Sequence, residues 1–132
     1  MCIRDRGTYA ALFAIGSMVE TAWQVRRKLA EKGIPTTVVN ARFAMPLDKN
    51  CLRKLAESHP LLVTMEENVA SGGFGEHVAA FLEEEALHTK VLRIAIPDCF
   101  VEHGSVGELK KALGLDADSV TEKILAELPE EL

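Results

Sequence analysis

The residues best able to do chemistry in this chain are crowded into one stretch, Glu66-Glu67-Asn68 followed by Gly72-Gly73-Phe74-Gly75. Two neighbouring carboxylates invite a general acid and base pair. Glycines ahead of a helix invite a phosphate cradle, because backbone N–H groups without Cβ atoms nearby can close on an anion at a helix N-terminus. Neither chemistry completes itself. Successive strand residues point to opposite faces, so Glu66 and Glu67 on a strand would not converge on one substrate atom. Val78 stands where Gly-x-Gly-x-x-Gly needs its third glycine, and no Lys-Ser/Thr pair follows to make a Walker loop. A carboxylate about 6 Å from a phosphate costs on the order of 2–3 kcal/mol at an effective dielectric of about 20, and this stretch carries two.

The other candidates are more dispersed. His59, His77, His88 and His103 show no His-x-x-His or Cys-His grouping at metal-ligand spacing. His103, in Glu102-His103-Gly104 at a strand end, is the one histidine placed for function. Arg42 is a cation at a strand end, able to anchor a ligand or to pair with Glu66 or Glu67. Cys2, Cys51 and Cys99 are odd in number and far apart, which fits reduced thiols and neither a disulfide framework nor a zinc site. No catalytic, cofactor-binding or metal residue is therefore assigned. Arg42, Glu66, Glu67, Asn68, Gly72, Gly73, Phe74, Gly75 and His103 remain as candidates for contact with another domain.

The elements that must position these residues alternate. Tyr9 to Ile15 is apolar on both faces and ends at Gly16, as a central parallel strand does. Ser17 with Glu20 reads as a capping box, and Met18, Ala22, Val25 and Leu29 form one helical stripe stopped by Gly33. The β-branched run Pro35 to Asn40 predicts a second strand. Asp48 caps a helix carrying Cys51, Leu52, Leu55 and Ala56 inward, and His59-Pro60 ends it. The apolar run from Leu61 to Met65 predicts a buried strand that leaves the sheet at the acidic pair. Phe74, Val78, Phe81 and Leu82 then recur at helical spacing. Val91 to Ile96 predicts the fourth strand, Ser105 with Glu108 another capped helix, and Ser119 with Glu122 a last helix presenting Val120, Ile124, Leu125 and Leu128. Strands alternating with helices imply right-handed crossovers and a three-layer α/β/α sandwich around a mainly parallel sheet of four to five strands. The pattern does not give the strand order.

Composition bounds the partners. The 132 residues make one domain, large enough for a core without metal or disulfide support. A formal charge of −5 without a basic stripe argues against nucleic acid and anionic membranes. No apolar run approaches twenty residues, and the first residues lack the apolar segment of a signal peptide, so a cytoplasmic setting is expected.

Several linked pieces then resemble a known family. Val39-Asn40-Ala41-Arg42-Phe43, Pro46-Leu47-Asp48, Val63-Thr64-Met65-Glu66-Glu67-Asn68 with its glycines, Ile96-Pro97-Asp98 through Glu102-His103-Gly104, and Gly114-Leu115-Asp116 are similar, in this order, to the C-terminal domain of 1-deoxy-D-xylulose-5-phosphate synthases, within the transketolase-like superfamily. That resemblance implies a thiamine-diphosphate and Mg²⁺ enzyme condensing pyruvate with glyceraldehyde 3-phosphate, releasing carbon dioxide, in isoprenoid and thiamine biosynthesis. It also implies that the cofactor is held by N-terminal and middle domains not found here, so the chain alone is expected to be inactive. The family's sheet has a first, antiparallel edge strand. At that place residues 1–6 do not resemble the family and read as a non-native leader, so the domain is expected over residues 7–132 with its edge strand missing or degraded. The function expected is a non-catalytic assembly domain whose partners are the missing domains and a second subunit. The alternative is an independent small-molecule or nucleotide-binding module.

Overall fold

The computed structural model describes residues 2–5, 9–41, 48–69, 73–96 and 111–127, with no side-chain description for residues 2–5, 68 and 69. Five strands form one sheet: β1 (Cys2–Asp5), β2 (Ala10–Ala14), β3 (Thr36–Asn40), β4 (Leu61–Val69) and β5 (Lys90–Ile96), in the order β1-β3-β2-β4-β5. β2, β3, β4 and β5 are parallel, and β1 runs antiparallel to β3. The helices described from end to end are α1 (Met18–Glu31), α2 (Lys49–Ser58), α3 (Phe74–Glu84) and α4 (Ala117–Glu127); residues 111–113 are also helical, while the start expected at Ser105 with Glu108 lies outside the described residues.

The order places the layers. From β2 the chain steps outward to β3 through α1, returns past β2 to β4 through α2, and continues to β5 through α3. Right-handed crossovers taken in opposite directions lie on opposite faces. Accordingly α1 and α4 pack with Leu12, Val38, Val63 and Met65 on one side. On the other, α2 and α3 pack with Phe13, Val39 and Leu62. Phe13 and Phe74 stack at 6.2 Å between ring centroids. The predicted three-layer sandwich and its mainly parallel sheet are the observed fold.

Within it the apolar stripes fall where their spacing puts them. Met18, Ala22, Val25 and Leu29 are buried on α1, Leu52, Leu55 and Ala56 on α2, and Phe74, Val78, Phe81 and Leu82 on α3. The Asp48 side chain accepts the Cys51 N–H at 3.1 Å, as a cap should. At Gly33 (φ +76) the bonds Ile34 N–H to Leu29 O and Gly33 N–H to Ala30 O close α1 in the reciprocal pattern that a left-handed glycine permits.

Three expectations are corrected. The edge strand is present: Cys2 pairs with Asn40 and Ile3 with Val39, so residues 2–5 cover the edge of β3 that would otherwise bare its backbone. Strand pairing uses backbone groups, which an unfamiliar side-chain pattern still supplies. Ser17 makes no side-chain cap; it is already helical (φ −64°, ψ −18°), which does not turn its Oγ back over the first amides. Those amides bond instead within a turn, Met18 N–H to Ile15 O and Val19 N–H to Gly16 O. The last helix starts at Ala117 rather than Ser119, because Asp116 accepts both the N–H and the hydroxyl of Ser119. On that helix Val120 and Ile124 are buried and Leu125 packs partly against the core, as expected, while Leu128 lies outside the described residues.

Candidate functional site

β2 and β4 are neighbours whose connections depart in opposite directions, α1 toward β3 and α3 toward β5. That makes their carboxyl ends the topological switch point of the sheet, the place where open α/β sheets receive ligands and partners. The sequence led to the β4 end of this crevice. It missed the β2 end, where Gly16 and Ser17 are exposed and Ile15 N–H donates to Met65 O at 3.1 Å. The strand order was the missing signal.

At the β4 end the two carboxylates separate as strand alternation requires. Glu67 is exposed. Glu66 is 1% exposed, on the α3 side with Leu62 and Thr64. Its Oε1 accepts the Phe74 N–H at 2.9 Å and its Oε2 accepts the Gly75 N–H at 2.6 Å. Taking a carboxylate out of water is costly unless donors replace the water, and here two amides at the positive end of α3 do so. Gly73 precedes them in an extended conformation without a side-chain cap, since glycine has none to offer. The carboxylate of a strand residue thus performs the capping that the helix's own flank lacks.

Gly75 is needed for that approach. A Cβ there would stand 2.5 Å from Thr64 Oγ1 and 3.2 Å from both Glu66 Oε2 and Arg93 Cγ. Thr64 is fully buried and its hydroxyl has no hydrogen-bond partner, a sign of how tightly the helix start is set down on the strand. The glycine the sequence marked as a phosphate approach therefore serves an approach between helix and sheet.

The remaining candidates divide. Phe74 is buried against Phe13 as core. Asn68 lies within β4, and its side chain is outside the description. Arg42, Gly72 and His103 lie outside the described residues. His59, read as one of the scattered histidines, is buried at 6% exposure, with Nε2 2.8 Å from Thr37 Oγ1 and Nδ1 3.1 Å from Leu55 O, so it ties α2 to β3. Burial and the nearby Asp48 push the Cys51 thiol up from its ordinary value, which leaves it a poor nucleophile.

A diphosphate with Mg²⁺ does not fit what is described. The α3 amides that would hold a phosphate are turned on Glu66, and a second anion there would meet that carboxylate at close range. Among the described residues no three or more His, Cys, Asp or Glu side chains come together as a metal site, and no helix is long and apolar enough to cross a membrane.

Set beside known proteins, residues 2–120 match a family model described as Transketolase, C-terminal domain. A 1-deoxy-D-xylulose-5-phosphate synthase of Lachnoclostridium phytofermentans is 56% identical over 115 residues, covering 86% of this chain and 18% of the relative. The synthase of Shouchella clausii is 38% identical over 128 residues, covering 97% of this chain and 20% of the relative. A solved split-gene transketolase, described as an inactive beta4 tetramer, superposes with a TM-score of 0.88 at 27% identity over 95% of this chain and 41% of its own. A transketolase variant from Pichia stipitis shares the fold, with a TM-score of 0.66 at 16% identity over 94% of this chain and 17% of its own. The chain spans about a fifth of the length of the curated relatives it matches.

Proposed function

The chain belongs to the transketolase C-terminal domain family, and from that premise we propose that it is the assembly domain of a 1-deoxy-D-xylulose-5-phosphate synthase. Its strand-end surface docks on the N-terminal and middle domains of that enzyme and on a second subunit. The whole enzyme condenses pyruvate with glyceraldehyde 3-phosphate, losing carbon dioxide, on thiamine diphosphate and Mg²⁺ held by those other domains, in the cytoplasm. In this reading Glu67 and the β2 turn at Gly16 and Ser17 contribute to the docking surface, and Arg42, Gly72 and His103, which lie outside the described residues, are carried as contact candidates from the sequence alone.

One observation carries the proposal: 56% identity over 86% of this chain against only 18% of a synthase. The Glu66 cap supports it, because the one helix start that resembled a nucleotide site is already filled from within. That counts against the independent nucleotide-binding module.

The test is complementation. Added to a synthase truncated before this domain, the chain should restore a sedimenting assembly and with it turnover. Calorimetry on the chain alone should give no saturable heat with thiamine diphosphate and Mg²⁺. Saturable binding at micromolar cofactor, or a truncated synthase that dimerises and turns over unaided, would overturn the assembly reading.

A further inference from the structure

We draw no further inference here: the strongest candidate, the hollow of about 280 Å³ between the last turn of α1 and the start of β3, lined by Arg26, Ala30, Gly33, Ile34, Pro35 and Thr36, carries nothing, because the Thr36 hydroxyl that lacks a hydrogen-bond partner is closed into the wall at 1% exposure, Arg26 is already engaged over the Trp23 ring at 5.8 Å, and the remaining apolar lining does not say what would fill it.

Discussion

The connection from β2 to α1 and the connection from β4 to α3 leave neighbouring strands, yet the amides that begin their helices find acceptors in different ways. At α1 they bond back into a turn, through Ile15 O and Gly16 O, with Gly16 at φ +63 and exposed beside Ser17. At α3 they bond to a buried side chain two strand positions past Thr64. The first solution is local and open to water. The second is long-range and dry, and it commits the strand register, the helix start and the orientation of two carboxylates at once. A helix end satisfied by a turn can be edited with small effect; one satisfied by a buried charge cannot.

The largest effect that follows is at Glu66. Glu66→Ala removes a charged acceptor and strands the N–H groups of Phe74 and Gly75, both buried. Hydrogen bonds to charged groups contribute about 1.5–3 kcal/mol and unsatisfied buried donors add to the loss, so we expect about 3 kcal/mol or more from urea denaturation of the chain. A loss below about 1 kcal/mol would mean that water replaces the carboxylate freely, and the contrast between the two connections would collapse. Replacing Glu66 and Glu67 together would mix this internal loss with whatever Glu67 does at a partner. The two positions must be tested apart.

This is also where the sequence was legible and where it was not. The three layers follow from apolar runs and stripes such as Leu61 to Met65 and Met18, Ala22, Val25 and Leu29, because burying a face leaves a periodic mark on the residues that do it. The Asp48 cap was legible because donor and acceptor lie three residues apart. The Glu66 cap was not, since its partners are eight and nine residues away and nothing local says that the strand end bends toward the helix start. The same gap produced the misreadings at Ser17 and Ser119, where the pattern Ser-x-x-Glu was present but the backbone angles or a neighbouring Asp116 decided otherwise. Strand order, and with it the crevice shared by β2 and β4, depends on pairings between distant segments and leaves no periodic trace.

A middle-sized effect separates the glycines of the two connections. Gly75→Ala gains about 1 kcal/mol of helix propensity but forces a Cβ to 2.5 Å from Thr64 Oγ1. Overpacking of this kind costs about 1–3 kcal/mol, so the net is a loss of up to about 2 kcal/mol. Gly16→Ala meets nothing within 4 Å and loses about 1 kcal/mol through its left-handed backbone alone. Because the totals are close, the second mutation decides: Thr64→Ala should recover part of the Gly75→Ala loss and none of the Gly16→Ala loss. Additive behaviour in both cycles would show that Gly75 is not held by contact with the strand.

The smallest effect is expected at Ser17. If its hydroxyl capped α1, Ser17→Ala would cost about 1 kcal/mol; with no cap bond in place, the change should stay within about 0.5 kcal/mol. Asp116 is the control, because it does cap a helix, α4, through Ser119. Burial pushes the Asp116 carboxyl up, but the hydrogen bonds from the Ser119 hydroxyl and N–H outweigh it and hold the carboxyl below its ordinary value. A carboxyl lowered in the folded state binds its proton less readily there than in the unfolded chain. Its contribution is therefore complete above the unfolded value near 4 and is lost as the pH falls through the lower folded value. Asp116→Asn should flatten part of the acid limb of a stability profile measured from about pH 6 to about pH 2, whereas Ser17→Ala should leave that limb unchanged. A Ser17→Ala loss as large as that of Asp116→Ala at pH 7 would show that the β2–α1 connection relies on a side-chain cap after all, and the two connections would then differ only in the length of chain between donor and acceptor.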